Sequence, residues 1–450
     1  MDIAQYAHWF RSSTPYIQAH RRRTFVVLLP GEALEAPNLT NIVHDIALTH
    51  VLGARLVLVH GARPQLDQAL GNDARTGSRR VTGAEDLATL QQVYGELRSR
   101  LEALFSTGLP NTPLHGTDIA VANGNLVVAK PVGVLAGVDH QFTGAVRQVH
   151  RARVNALLDS GAIVLMSPLG YSPSGQTFNL PSDELAAATA LAIDADKLIV
   201  LDEARRLQDS DQQEQSLLSP TALADIIERG SHSPGALDRL RAALAAVRGG
   251  IPRAHIVTWK EDGALLAELY TAGGHGTQIS ELSQTPVRNA TSDDIAGIVE
   301  LIRPLEDSGA LVRRSRDRLE AEIDHFIVAE LDGVVIGCCA LFPIKDSDTH
   351  SHSAELGCVA VHSGYRARAK HSEPNGHTTY ASHGVGEQLL KFAEARARSQ
   401  DISTLFALTT QARDWFVEHG FTTSSPEALP ESKAALYNLQ RNSTVLRKNI

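Results

Sequence analysis

The feature that most narrows the choice of fold is a set of short, uninterrupted apolar runs separated by helix-length segments. Thr24-Phe25-Val26-Val27-Leu28-Leu29 is followed by Pro30-Gly31-Glu32, a helical stretch over residues 39–52, and Gly53. A second run at residues 55–59 leads into His60-Gly61, and similar runs recur at 162–166 and 197–201. A strand that is apolar on both faces must be covered on both faces. The alternation therefore predicts an α/β unit: an open parallel-type sheet sandwiched by helices. Residues 208–216 and 229–234 read as loops, being polar or holding Gly, Ser and Pro.

The texture changes around residues 273–286, where Gly, Ser and Pro accumulate. We expect a first domain at 1–284, including an N-terminal helix within 1–23, and a second at 285–450. The second has a different order of elements. It predicts a helix at 293–302 with Thr291 or Ser292 as N-cap, and another helical stretch around 317–323. A hairpin follows at 326–331 and 334–342, turned by Asp332-Gly333. Then come a strand at 355–361, a helix at 385–398, a strand at 405–408 and a short helix at 411–419 ending at Gly420. His383-Gly384-Val385-Gly386-Glu387 opens the longer helix. Glycines there let backbone N–H groups approach an anion, and the helix N-terminus adds favourable partial charge.

Composition removes several function classes. Lys plus Arg number 42 and Asp plus Glu 51 among 450 residues, a net charge of −9. No global basic field exists to bind nucleic acid. No apolar run approaches the ~18 residues of a membrane span. Arg21-Arg22-Arg23 follows the first helix-like stretch instead of preceding an apolar core, unlike a secretory signal. The three cysteines are Cys338, Cys339 and Cys358. Neither a disulfide framework nor a cysteine-based zinc site is expected, and a reducing cytoplasm is the natural compartment. Adjacent Cys338 and Cys339 should point to opposite faces of their strand.

The succession of hairpin, strand, glycine loop, helix and Trp415-Phe416-Val417-Glu418-His419-Gly420-Phe421 resembles the GNAT N-acetyltransferase fold. That resemblance implies a loop holding the pyrophosphate of acetyl-CoA and a strand offering backbone N–H to the thioester carbonyl. One departure stands out: residues 367–382, with His371 and His377 inside and His383 just beyond, separate Tyr365-Arg366 from Gly384. We read this insert as an exposed excursion and expect no metal in it. Over the whole chain, the order of Leu58-Val59-His60-Gly61-Ala62-Arg63, Glu268-Leu269-Tyr270-Thr271, Arg314-Ser315-Arg316, Leu429-Pro430-Glu431-Ser432-Lys433 and Tyr437-Asn438-Leu439-Gln440-Arg441 resembles the bacterial N-acetylglutamate synthase family. In that family an amino-acid-kinase-like domain precedes a GNAT domain.

The resemblance implies acetyl transfer from acetyl-CoA, a co-substrate, to the α-amine of L-glutamate, with no tightly bound cofactor and no metal. It implies a homo-oligomer, hexameric in some relatives, and feedback inhibition by L-arginine. Arg314 and Arg441 match glutamate-binding arginines, with Arg316 a third candidate; planar guanidinium groups suit carboxylates. Glu355 matches the general base, Thr409 a hydroxyl near the substrate amine, and Tyr437 a proton donor to the departing thiolate. Cys358, Val359 and Val361 would face acetyl-CoA through backbone groups, with Gly384 and Gly386 at its phosphates. Tyr16, Glu268 and Gly276 would form the arginine site. Kinases of this fold carry a Lys-X-Gly-Gly pattern where this chain has Leu29-Pro30-Gly31-Glu32, so the first domain reads as kinase-shaped without kinase activity. Lys197, beside Asp196, reads as a salt-bridged surface lysine.

Overall fold

The computed structural model describes residues 3, 7, 10, 11, 13–71, 75, 76, 79–108, 112–209, 212–271, 273–280, 287–331, 333–344, 352–362, 384–434 and 443–450. The chain divides into two compact units, 1–281 and 282–450. The insert 367–382 with His371 and His377, and also Asp332, His383, Tyr437 and Arg441, lie outside the described residues. Among the described residues no helix is long and apolar enough to cross a membrane.

The first unit is built on an eight-stranded sheet. Its strands are β1 (Thr24–Leu29), β2 (Arg55–His60), β3 (Val121–Ala122), β4 (Ile163–Met166), β5 (Lys197–Asp202), β6 (Leu217–Leu218), β7 (Arg253–Thr258) and β8 (Thr277–Ile279). Their order is β6-β8-β7-β5-β1-β2-β4-β3. All neighbours are parallel except β7 and β8. Strand β1 explains why its sequence had to be apolar throughout. Val26 and Leu28 enter one core, whereas Phe25, Val27 and Leu29 enter the other. Helices cover both faces, among them α1 (Thr14–His20), α2 (Leu39–Val51), α3 (Ser182–Ala192), α4 (Pro234–Arg248) and α5 (Ala264–Tyr270). Gly53, just past α2, has φ +105°, a conformation that costs glycine little.

Two expectations for this unit fail. The stretch 208–216 is not simply a loop. Leu207–Gln208 and Glu214–Gln215 pair as a small antiparallel hairpin, Leu207 being buried beneath it. Lys197 is not a surface lysine either. It is 4% exposed, and Asp196 instead holds Arg23 at 3.0 Å and the Thr24 N–H at 2.8 Å. Burial, helped by Arg253, pulls the Lys197 ammonium down to about 7.

The second unit has a seven-stranded sheet. The strands are β9 (Val287–Asn289), β10 (Phe326–Leu331), β11 (Val334–Ile344), β12 (Ser353–Val361), β13 (Thr404–Thr409), β14 (Thr422–Ser424) and β15 (Thr444–Asn449), in the order β9-β10-β11-β12-β13-β15-β14. Only β12 and β13 pair in parallel. Its helices include α6 (Ile295–Asp307), α7 (Arg316–Glu322), α8 (Val385–Ser399) and α9 (Arg413–Glu418). Thr291 and Asp294 form a capping box before α6. Arg288 grips Asp294 through two nitrogens at 2.7 and 2.8 Å and also reaches Glu330 at 2.6 Å. Cys338 and Cys339 do enter opposite cores.

The first unit also buries a charge pair. Arg239 of α4 donates its Nε–H to Asp202 at 2.6 Å, both side chains being under 10% exposed. Removing one partner strands the other charge in the interior, at a cost of about 3–5 kcal/mol. Asp202→Ala should therefore lower the first unit's stability by that amount in chemical denaturation. A loss below about 1 kcal/mol would show that the pair is dispensable.

Candidate active site

The site begins where two strands part. Strands β12 and β13 pair only at Ser353–Thr404, Ala354–Leu405 and Glu355–Phe406. Beyond Glu355 they diverge, and a cleft of about 380 Å³ opens between them. Leu356–Val361 line one wall, and Leu408, Thr409 and Trp415 stand among the residues opposite. The wall of β12 thus presents a backbone edge without a strand partner. Such an edge keeps hydrogen-bonding capacity for a ligand.

A bulge sets this wall. Cys338 pairs with Ala360 but Ala340 pairs with Gly357, so Cys358 and Val359 together oppose Cys339. Cys358 has φ +51°, a conformation that costs a non-glycine residue roughly 1 kcal/mol or more. Bulges of this kind bend a strand and re-aim its groups. The Cys358 carbonyl accepts from the Cys338 thiol at 3.5 Å. Burial pushes the Cys358 thiol up to about 11, so it is held protonated and unreactive. Val359 and Val361 stand on the same wall.

Helix α8 points its N-terminus at the cleft. Gly384 is its N-cap, in extended backbone, and both Gly384 and Gly386 line the cleft. A Cβ at Gly386 would lie 3.2 Å from the Trp415 ring, so glycine is what lets the helix approach this wall. A helix of fifteen residues with open N–H groups in a cleft is suited to phosphate oxygens.

Glu355 occupies the fork itself, the last paired position. It does not open its strand, which starts at Ser353. Its carboxylate is ion-paired with Lys433, and its side chain is 18% exposed. Gly357 keeps the neighbouring face open: a Cβ there would lie 3.5 Å from Phe342 and 4.0 Å from a Glu355 oxygen. Arg314 stacks over the same Phe342 ring at 5.7 Å. The fold thus brings Arg314, Phe342, Gly357, Glu355 and Lys433 to one side of the fork. Arg314 is only partly satisfied. Its Nε lies 3.5 Å from Glu322, an ion pair whose geometry falls short of a hydrogen bond.

Other candidates are placed differently. Arg316 is 73% exposed and bonds Glu320 along its own helix at 3.1 Å, so it does not join Arg314. The Thr409 hydroxyl ends β13 and accepts the Ala412 N–H at 2.9 Å, shaping the turn into α9. It lines the cleft, but its first task is this local cap. Lys433 was missed in the sequence because only the fold brings it to Glu355. Among the described residues no group of three or more His, Cys, Asp or Glu could hold a metal ion.

In the first unit, Glu268 is buried and its oxygens are already engaged. His255 approaches Oε1 at 2.6 Å, and the His275 and Gly276 N–H groups donate to Oε2 at 2.7 Å each. Burial alone would raise its pKa, but these bonds outweigh it and bring it down to about 2. Neither Glu268 oxygen is therefore free for an incoming guanidinium. Gly276 must be glycine, since a Cβ would fall 2.2 Å from the Ile256 carbonyl oxygen. Tyr16 lies on α1, which packs against α5 and sets His20 at 5.5 Å from Tyr270. At the end of β1, Glu32 faces Arg239 at 3.8 Å.

Comparison with known proteins agrees with this division. The Amino acid kinase family matches residues 23–258 and the Acetyltransferase (GNAT) family residues 295–369. The amino-acid acetyltransferase of Pseudomonas putida is 46% identical, over 99% of this chain and all of its own. That of Pseudomonas aeruginosa is 44% identical, over the full length of both. The N-acetylglutamate synthase of Neisseria gonorrhoeae, solved with coenzyme A and L-arginine, covers 99% of both chains at 34% identity and a TM-score of 0.75. With relatives matched end to end and both units accounted for, the chain belongs to the amino-acid acetyltransferase family, an amino-acid-kinase-like unit followed by a GNAT unit.

Proposed function

We propose that the chain transfers the acetyl group of acetyl-CoA to the α-amine of L-glutamate, in the cytoplasm, under restraint by L-arginine. The observation that carries the chemistry is the fork of β12 and β13, with Glu355 at its apex and Arg314 beside it. Acetyl-CoA enters as co-substrate. Its phosphates meet the N-terminus of α8 at Gly384 and Gly386, and its thioester lies along Cys358, Val359 and Val361. Arg314 takes one carboxylate of glutamate, and Arg441 the other, by resemblance.

The ammonium first gives a proton to Glu355, directly or through water. The amine then attacks the thioester carbon, and its oxygen gathers negative charge that N–H groups along β12 stabilise. Collapse breaks the C–S bond; the thiolate leaves and takes a proton, for which Tyr437 is the proposed donor, while the new amide nitrogen gives up its remaining extra proton to water, which restores Tyr437. Lys433 positions the Glu355 carboxylate and places a cation near the incoming glutamate. Thr409 shapes the wall behind the amine. The kinase-shaped unit performs no phosphoryl transfer, because Leu29 stands where the phosphate-neutralising lysine belongs and Glu32 where a glycine would approach phosphate.

For arginine we place the site at Tyr16, Glu268 and Gly276. The packing of α1 on α5 and the Glu268 carboxylate, held ionised by His255 and two backbone N–H groups, support this. A guanidinium reaching Glu268 must displace His255 from Oε1 or approach beside it, while Lys197 can meet the ligand's carboxylate. Inhibition then requires arginine to bind a less active state more tightly. The exposed apolar hairpin tip at Val134, Leu135 and Val138 supports a homo-oligomer.

Arg314→Ala should raise KM for glutamate at least tenfold with little change for acetyl-CoA, since a lost buried charge partner costs about 2–5 kcal/mol. In the same series Glu355→Gln should lower kcat by about 10²–10⁴-fold. Wild-type kinetics in both would remove these residues from the site. Steady-state inhibition by arginine should weaken in Tyr16→Ala and Glu268→Gln while activity without arginine persists. Unchanged inhibition in both would place arginine elsewhere.

A further inference from the structure

Lys433 reaches the fork from a short helix, Glu431–Ala434, that follows a single helical turn at Pro426–Ala428. Leu429, between the two, is buried and packs with Ile344, Phe406 and Val445, and Ala434 rests against the same cluster. The Lys433 and Ala434 N–H groups both donate to the Pro430 carbonyl at 2.8 Å. Phe406 is also the strand partner of Glu355. The backbone beneath Lys433 is thus anchored on the residue pair at which β12 and β13 part. Its side chain is not fixed in this way, because a lysine ammonium rides on a flexible four-carbon stem.

The pair that Lys433 makes with Glu355 lies where the acceptor's ammonium has to arrive. The two side chains are 27% and 18% exposed, so the pair is partly open to water and exchangeable. Arg314, the other cation on this side of the fork, has an anion of its own in Glu322 at 3.5 Å. Among the described residues, the anion paired with Lys433 is Glu355. An ammonium that approaches Glu355 brings a second cation to a carboxylate that already holds one. Lys433 then faces the newcomer with like charge unless the acceptor offers it an anion in exchange. An α-amino acid has that anion at hand. Its α-carboxylate carbon is two bonds from the nitrogen, whereas the side-chain carboxylate carbon of glutamate is four bonds away.

We propose that the acceptor inserts into the Glu355–Lys433 pair, its ammonium taking Glu355 and its α-carboxylate taking Lys433, so that Lys433 selects acceptors with a free α-carboxylate. This rests on the glutamate reading above and adds to it the residue that reads one particular carboxylate. Each partner of the pair stands in for the acceptor group that replaces it, so neither charge is left unpaired as the acceptor enters. Carboxylate oxygens accept several hydrogen bonds, so Lys433 can share the α-carboxylate with an arginine. An acceptor whose α-carboxylate is amidated supplies no anion. Lys433 is then left beside an ammonium, and that like-charge contact rejects the ligand.

The test is isothermal titration of the full chain loaded with coenzyme A, using L-glutamate, its α-amide and its side-chain amide L-glutamine. Wild type should bind glutamate about tenfold or more tighter than either amide. In Lys433→Met glutamate should weaken until the α-amide binds as well, while the preference over glutamine remains. Lys433→Arg should keep the preference over the α-amide. Retained affinity for coenzyme A reports an intact second unit in each variant. An unchanged preference over the α-amide in Lys433→Met would overturn the proposal. So would loss of the preference over glutamine instead, which assigns Lys433 to the side-chain carboxylate, or a Lys433→Arg that behaves like Lys433→Met, which shows that charge is not what is read. Coenzyme A release from acetyl-CoA by wild type separates this proposal from the reading beneath it. A wild type that acetylates glutamate but binds the α-amide equally well overturns this proposal alone, whereas one that acetylates no amino acid overturns both.

Discussion

The chemistry of this protein depends on a parallel strand pairing that stops after three residue pairs. Had β12 and β13 stayed zipped beyond Glu355 and Phe406, their N–H and C=O groups would be spent on each other. By parting, they leave a polar backbone edge in a cleft whose side chains are largely apolar. The bulge at Cys358 and Val359 bends the same strand, and its positive φ is strain that the surrounding buried core must hold. Three of the proposed groups are placed relative to that fork: Glu355 at its apex, Arg314 across Phe342, and the first turn of α8 at its mouth.

The kinase-shaped unit keeps its fold without the lysine of the kinase pattern, Leu29 standing in its place. Its central strands are covered on both faces, its Arg239 and Asp202 are ion-paired in the interior, and its buried Glu268 is hydrogen-bonded to His255. Neither pair requires the missing phosphate-binding lysine. Glu32, lying 3.8 Å from Arg239, is accommodated by a cation that the scaffold holds in any case. Regulation by a bound ligand needs only that two states of such a unit differ in affinity.

Much of the fold was legible because burial on both faces of a strand writes itself as a continuous apolar run. Thr24–Leu29 and Lys197–Asp202 are of this kind. The opposite facing of Cys338 and Cys339 follows from strand geometry alone. What was not legible depends on distant segments. The sequence cannot show where strand pairing ceases, so the fork was invisible. Lys433 meets Glu355 only through the folded sheet. Lys197 was misread because a charge beside Asp196 looks like a surface pair, whereas its strand runs through the middle of the sheet. That both Glu268 oxygens are already taken, by His255 and by the turn at Gly276, is likewise hidden in the sequence.

The most direct test of the account is coenzyme A release from acetyl-CoA by the full chain across a panel of amino acids, with the acetylated product identified by mass spectrometry. The fork, the arginine beside it and the family membership predict release that depends on L-glutamate and yields N-acetyl-L-glutamate in equal amount. Release that is independent of any amino acid, or that favours an acceptor without a second carboxylate, would contradict it.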